Sequence, residues 1–453
     1  MERLKTNLLS FFNGYFYPLF VAFLVFIGHT FSLEIIALCI IFASAIVSML
    51  ICDDLRATIS LFLMTLFTFS FKTYKSGWLA SASFAVFASI LLLSLIAGVV
   101  IHLVLKKKKQ QLLTTLKSPL LLGIAILSLS FLLNGFFNFS EYLAINAIFA
   151  ILLTVFLAVV YIIFSAGLNK NRDTIDYLMY TLYIVSILLI LQMLVLLIRD
   201  ASYFPDGSID KNTLILGWGM WNNIGGMLTM LLPVHFYLSA TKKHGFIFYF
   251  TAILTYITIV FTLSRSSLLF ATIISVLCVV IICIKGQNVR INRIITAALA
   301  VVALFGVILL WDKLSSLLSS YINQGFSDNG RFEMYKHGLN NFLSHPIFGG
   351  GFGSCIEDNF GHGIEPNRYH NTIIELLATC GIVGFGAYVF HRYQTIKLYW
   401  ARKKSLKCTF LFISILALLL TSLLDNHFFN LYPTMYYVIM LCVIEKSDAQ
   451  DSE

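Results

Sequence analysis

Long apolar runs dominate this chain, and only short polar joints separate most of them. A run of about 17–25 residues is enough to cross a hydrocarbon core of roughly 30 Å as a helix. The pattern predicts roughly fourteen such spans, at 9–29, 33–51, 57–71, 78–105, 119–135, 142–167, 176–198, 214–239, 245–263, 266–284, 294–311, 372–391, 406–424 and 428–445. Because the runs are continuously apolar, and barrel strands alternate over about ten residues, a transmembrane β-barrel is excluded. The expected fold is therefore all-α, a polytopic integral membrane helix bundle of roughly 12–14 transmembrane helices. One large extracytoplasmic loop containing short helices interrupts it.

Composition supports this class. Of 453 residues, 59% are hydrophobic and 12% charged, whereas soluble domains carry about 25% charged residues. The first apolar run follows MERLKTN without a small-residue cleavage site, so it reads as a retained helix.

The net charge of +9 is explained by topology. With fourteen spans, alternate joints fall into two sets, and one of them holds 22 of the 31 basic residues. Lys and Arg accumulate in cytoplasmic loops, which puts both termini in the cytoplasm. The basic residues are dispersed rather than gathered into a nucleic-acid footprint. The KKKK run at 106–109 fits the same topology, although a polybasic patch beside a span also attracts anionic lipid head groups. The eight cysteines show no metal-ligand spacing and imply no disulfide framework.

Four regions follow: N-terminal spans at 1–213, spans carrying Arg265 at 214–311, an extracytoplasmic loop at 312–371, and C-terminal spans with a short tail at 372–453. Long polar segments of this kind are usually functional or disordered, and this loop is patterned. It contains the amphipathic WDKLSSLLSSYI, the helix-like RFEMYKHGLNNFL, the turn-rich SHPIFGGGFGS, and EPNRYHN at the lip of the next span. Gly349, Gly350, Gly351 and Gly353 either form a tight turn after Pro346 or let backbone amides approach an anion. With no preceding strand and no GK[ST], they are not a P-loop.

Three positions on the external side suggest chemistry. Arg265 sits at a break between two apolar runs, surrounded by Ser264, Ser266 and Ser267; Arg331 opens the loop helix; His370 stands at the mouth of a span. Arginines offer planar forks that match phosphate oxygens, with snorkelling as the plain alternative for Arg265. Imidazole accepts protons near neutral pH, although an interfacial histidine with a purely structural role fits His370 taken alone. Glu357 and Asp358 do not form a convincing Mg²⁺ cage, and no metal or other cofactor is implied. Asp425 and His427, in another external turn, read first as capping or interface residues. Glu375 is expected to be buried and paired.

The combination of Arg331, His345-Pro346, Gly349, Gly351, His370-Asn371, Gly381 and Gly384 resembles the O-antigen ligase and polymerase superfamily of bacterial envelope proteins. The resemblance covers roughly 215–390, with Arg265 in TLSRSSLL and Asn222 in WNNIGG matching two further family features. It implies a glycosyltransferase of the bacterial cytoplasmic membrane that works on its outer face without metal or nucleotide. The donor would be an undecaprenyl-diphosphate-linked glycan, and the acceptor a glycan or lipid A core hydroxyl. Carried over, Arg265 and Arg331 would bind the diphosphate and His370 would be the general base. Arg368, Tyr369, Asn371 and Asn222 would line the substrate site. Gly381 and Gly384 would serve close helix packing.

Two alternatives stay open. A repeat-unit polymerase shares these motifs with a ligase. A flippase for the same lipid-linked sugars would place polar residues near the middle of several helices.

Overall fold

In the computed structural model, residues 2–137, 153, 157–169, 172–205, 207–309, 311, 331–351, 355–357, 365–367 and 369–447 are described. Among these, helices dominate. Sheet is confined to two short antiparallel pairs, Ile215–Leu216 with Gly219–Met220 and Cys355–Glu357 with Glu365–Asn367. Six described helices are long and apolar enough to cross a membrane, and two bent pairs raise this to 8 if each is one span. The protein is a multi-pass, all-helical membrane protein.

Several predicted spans change shape. The run at 9–29 is broken into Glu2–Asn13 and Phe16–Phe31, which meet at 70° around Gly14. The run at 57–71 gives only the helix Thr58–Met64 and a 3₁₀ turn, Thr65–Thr68. The expected 214–239 begins instead with the tight hairpin at 215–220, whose Gly217 lies against the Phe69 carbonyl, where a Cβ would come within 2.4 Å. Of 142–167, only 153 and 157–167 lie among the described residues.

The helix Trp221–Thr241 occupies the centre and is buried along nearly its whole length. It packs against Gly245–Phe261, Arg265–Ile282, Leu406–Thr421 and Arg172–Val195. Glycines permit the closest approaches: a Cβ on Gly225 would lie 2.6 Å from Ser267 Oγ, and one on Gly226 would lie 2.4 Å from His427 Nε2. Away from these glycines, at the other end of the bundle, polar residues from separate joints pair. Lys106 meets Asp53 at 2.8 Å, Lys108 meets Asn169 at 2.6 Å, and Lys407 meets Asp176 at 2.8 Å.

The run predicted to end at 391 continues as the helix Thr372–Arg402. Arg392, expected in a loop, is instead held over the rings of Tyr388, Phe428 and Tyr437 at 4.7, 5.0 and 4.8 Å. Cation–π contact of this kind offsets part of the cost of withdrawing a guanidinium from water.

This helix is also broken. Gly381 has φ 62 and ψ −160, outside helical space. The break frees two carbonyls and two amides, and the turn after Ser344 takes them up. Gly350 and Gly351 donate to the carbonyls of Ala378 and Thr379 at 2.7 and 3.1 Å, while Ile382 and Val383 donate to those of Pro346 and Ile347 at 2.9 and 3.2 Å. Four exchanged hydrogen bonds therefore replace the missing helical ones, satisfying backbone groups that would otherwise be costly to bury. Gly381 is thus a conformational break as well as a small residue. A Cβ there would meet the Ile347 carbonyl at 2.4 Å, and one on Gly349 (φ +74) would meet the Thr379 backbone at 2.3 Å.

Candidate functional site

The break fastens the helix Arg331–Ser344 to the first half of Thr372–Arg402. Gly338 lets the two approach: a Cβ there would lie 2.6 Å from Ile374 and 2.8 Å from the Tyr369 ring. Tyr369 is fully buried, stacked on His337 with centroids 6.0 Å apart, and its hydroxyl lies 3.4 Å from Asn341 Nδ2. Its ring therefore fastens the two helices together. Asn341 Nδ2 also reaches the Ala378 carbonyl at 3.2 Å, beside the break.

His370 follows Tyr369 with φ 50, a left-handed conformation uncommon for a non-glycine residue. Asn371 then caps the helix: its Oδ1 accepts from the amides of Ile373 and Ile374 at 2.9 and 3.1 Å, and its Nδ2 donates to the Leu423 carbonyl at 3.0 Å. Thr372 donates through both its amide and hydroxyl to the Ser422 carbonyl, at 3.1 and 2.9 Å. The start of this helix is thus bound along the turn at 422–430. Glu375 strengthens the junction, its buried Oε2 accepting from Tyr369 N and Asn426 Nδ2, each at 2.8 Å.

This docking sets His370 Nδ1 3.0 Å from Asp425 Oδ1. The imidazole side chain is 31% exposed and the carboxylate 10%, so the pair has one sheltered and one open side. Burial by itself would raise the Asp425 pKa, but the His370 hydrogen bond, together with the positive charge of Arg331, outweighs it and holds the carboxyl below its ordinary value. An ionised Asp425 accepts the Nδ1 proton and leaves Nε2 with its lone pair, since the bond made by one ring nitrogen sets the tautomer. The sequence alone gives Asp425 a capping or interface role, because its partner lies 55 positions away, outside any local pattern.

Arg331 reaches the same turn, its Nη1 donating to the Leu424 carbonyl at 2.9 Å. His427 is fully shielded within the turn, and burial pushes its pKa below the ordinary value, against the pull of Asp425. Among the described residues, His427 Nε2, Asp425 Oδ2 and Asn426 Oδ1 have no hydrogen-bond partner.

The same turn contacts the central helix. Asn430 Nδ2 lies 3.4 Å from Asn223 Oδ1, and His427 packs on Gly226. Asn222 is half-buried in the first turn of that helix. Next along, Gly225 abuts Ser267, in the first turn of the helix Arg265–Ile282. Ser264 caps that helix through Ser267 N and donates to Ser267 Oγ at 2.9 Å. The serines around Arg265 are buried and bond one another rather than standing open as donors. Arg265 itself is exposed.

The structure therefore joins His370 and Arg331 through one turn, and the glycines of the central helix bring the first turns of the helices that carry Asn222 and Arg265 close together beside it. The N-termini of the helices beginning at Trp221, Arg265, Arg331, Thr372 and Leu431 all belong to this neighbourhood. Helix N-termini carry partial positive charge and favour anions. The glycine amides do not contribute in the same way, since those of Gly350 and Gly351 are consumed by the helix break. Arg368, Gly353 and Asp358, and the segment 312–330, lie outside the described residues.

Residues 250–389 match the family model described as O-antigen ligase, a region that includes Arg265, Arg331 and His370. This match supports assignment to the O-antigen ligase and polymerase superfamily. No curated protein matches the chain.

Proposed function

We propose that this protein, assigned to the O-antigen ligase and polymerase superfamily, transfers a glycan from an undecaprenyl-diphosphate donor to an acceptor hydroxyl at the extracytoplasmic face of the bacterial inner membrane. The reading rests chiefly on the contact between His370 and Asp425. A carboxylate that fixes the tautomer of a half-exposed imidazole is what a general base for a hydroxyl requires.

In the proposed reaction, His370 Nε2 takes the acceptor proton as its oxygen attacks the anomeric carbon. The bond from that carbon to the phosphate oxygen breaks, and the electron pair leaves with the lipid diphosphate. A single displacement of this kind inverts the anomeric configuration. Arg331 and Arg265, together with the gathered helix N-termini, would stabilise charge growing on the diphosphate. Arg368 and Asn222 remain candidate substrate contacts, whereas Asn371 and Tyr369 would act mainly by holding the helix start.

The test uses purified protein and lipid-diphosphate oligosaccharide, with products separated by mass. Transfer to a separate acceptor marks a ligase, and a longer lipid-linked glycan marks a polymerase. In either case His370→Ala is expected to lose activity by about 10²–10⁴-fold. An active His370→Ala protein would remove the proposed base, and no product from native protein with any acceptor would favour transport instead.

A further inference from the structure

A cavity of about 390 Å³ lies at the opposite end of the central helix, where Trp221–Thr241 gives way to Gly245–Phe261. Its wall includes Tyr15, Tyr180 and Phe248, and its polar residues include Asp176, Lys242 and Lys243. Tyr15 and Tyr180 lean together, with centroids 4.6 Å apart. Lys242 lies sixteen positions along the helix from Gly226, which sits beside the turn carrying Asp425, a rise of about 24 Å. The cavity is therefore distinct from the candidate active site.

Its charge is unbalanced. Asp176 is already paired with Lys407 at 2.8 Å and lies 3.5 Å from the Tyr237 hydroxyl. Lys242 and Lys243 are exposed, and neither ammonium makes an ion pair among the described residues. Two cations with no ion pair among the described residues thus line a largely aromatic and aliphatic recess. On the adjoining helix, Phe246, Ile247 and Phe250 are exposed and apolar, the surface an acyl chain requires.

We propose that this cavity is a binding site for the head group of an anionic phospholipid in the leaflet facing that end of the bundle. The lysines recognise the phosphate, and the aromatic wall receives the glycerol backbone and upper acyl chains. Basic recesses between membrane helices suit such head groups, whereas free phosphate would leave the apolar wall without a partner. The proposal does not depend on the glycosyl-transfer reading.

Native mass spectrometry of the purified full-length protein tests it, with phosphatidylglycerol, phosphatidylcholine and inorganic phosphate as probes. Native protein should retain one phosphatidylglycerol in preference to phosphatidylcholine. The Lys242→Gln/Lys243→Gln protein should bind it at least about tenfold more weakly, the loss expected for two lysines near an anionic head group. Lys72→Gln/Lys75→Gln, which removes the same charge beside the start of the central helix, should bind as native does. Thermal unfolding of all three proteins verifies folding. Equal retention by native protein and the Lys242/Lys243 variant, equal binding of phosphatidylcholine, or displacement of the lipid by low phosphate would each overturn the proposal.

Discussion

Asp425 holds His370 from the turn between the last two helices, Oδ1 to Nδ1 at 3.0 Å across 55 positions of sequence. The contact depends on Asn371, Thr372 and Glu375, each of which bonds a neighbour of Asp425 in that turn. The candidate site is thus built by docking a helix start onto a turn.

Arg331 donates to the same turn through Leu424. Arg331→Lys keeps the charge but loses the planar fork. It should lower kcat and kcat/KM for the lipid-linked glycan together by about tenfold, as loss of an interaction made in the transition state does. An Arg331→Lys protein with native steady-state constants would separate this residue from the donor.

Gly381 and Gly349 have positive φ at the helix break and no room for a Cβ. Changing either to Ala should destabilise the protein by about 1–3 kcal/mol. Gly386 lies on the same helix with open space around it, so Gly386→Ala should be neutral or stabilising by up to about 1 kcal/mol. Thermal unfolding in detergent reads all three. Similar effects at 381 and 386 would contradict the account of the break.

Gly226→Ala would push a methyl group into His427 and shift the turn that carries Asp425. Transfer activity should fall more than stability does, and Gly14→Ala, far from the site, provides a comparison. A Gly226→Ala protein with native activity would show that the turn tolerates movement.

Acid should loosen this turn in two steps. His427 is held neutral, with a folded pKa below its ordinary value, so the unfolded chain binds more protons as pH falls from about 6.5 and stability drops there. Asp425 is held ionised, with a folded pKa below its ordinary value. Its contribution is present above about pH 4 and is lost as pH falls through the lowered pKa. Unfolding midpoints for native protein and His427→Gln between pH 8 and pH 5 isolate the first step. The native protein should lose more stability over that range, and parallel curves would contradict this.

Helical membrane architecture was legible because run length and continuous apolarity dictate it. His370 and Arg331 could be singled out because charged or titratable residues at helix starts stand out against apolar surroundings. Asp425 could not be given its role, because a hydrogen bond across 55 residues leaves no local periodicity. Gly381 read as a small packing residue, since a backbone break inside an apolar run looks like uninterrupted helix until the chain that fills it is seen. Arg392 read as a loop residue for a similar reason: it follows a predicted span of twenty residues, 372–391, and its ring partners at Phe428 and Tyr437 lie on other elements. The glycine string after Pro346 allowed both a turn and an anion cradle. The structure gives the amides of Gly350 and Gly351 to Ala378 and Thr379, which favours the turn.

The most direct test of the central claim is a double-mutant cycle on the transfer rate, comparing native protein with Asp425→Asn, His370→Ala and the two combined. If Asp425 acts by orienting His370, Asp425→Asn should lose about 10²–10³-fold, and the double variant should be little worse than His370→Ala alone. An Asp425→Asn protein within a few-fold of native, or losses that multiply in the double variant, would contradict the account.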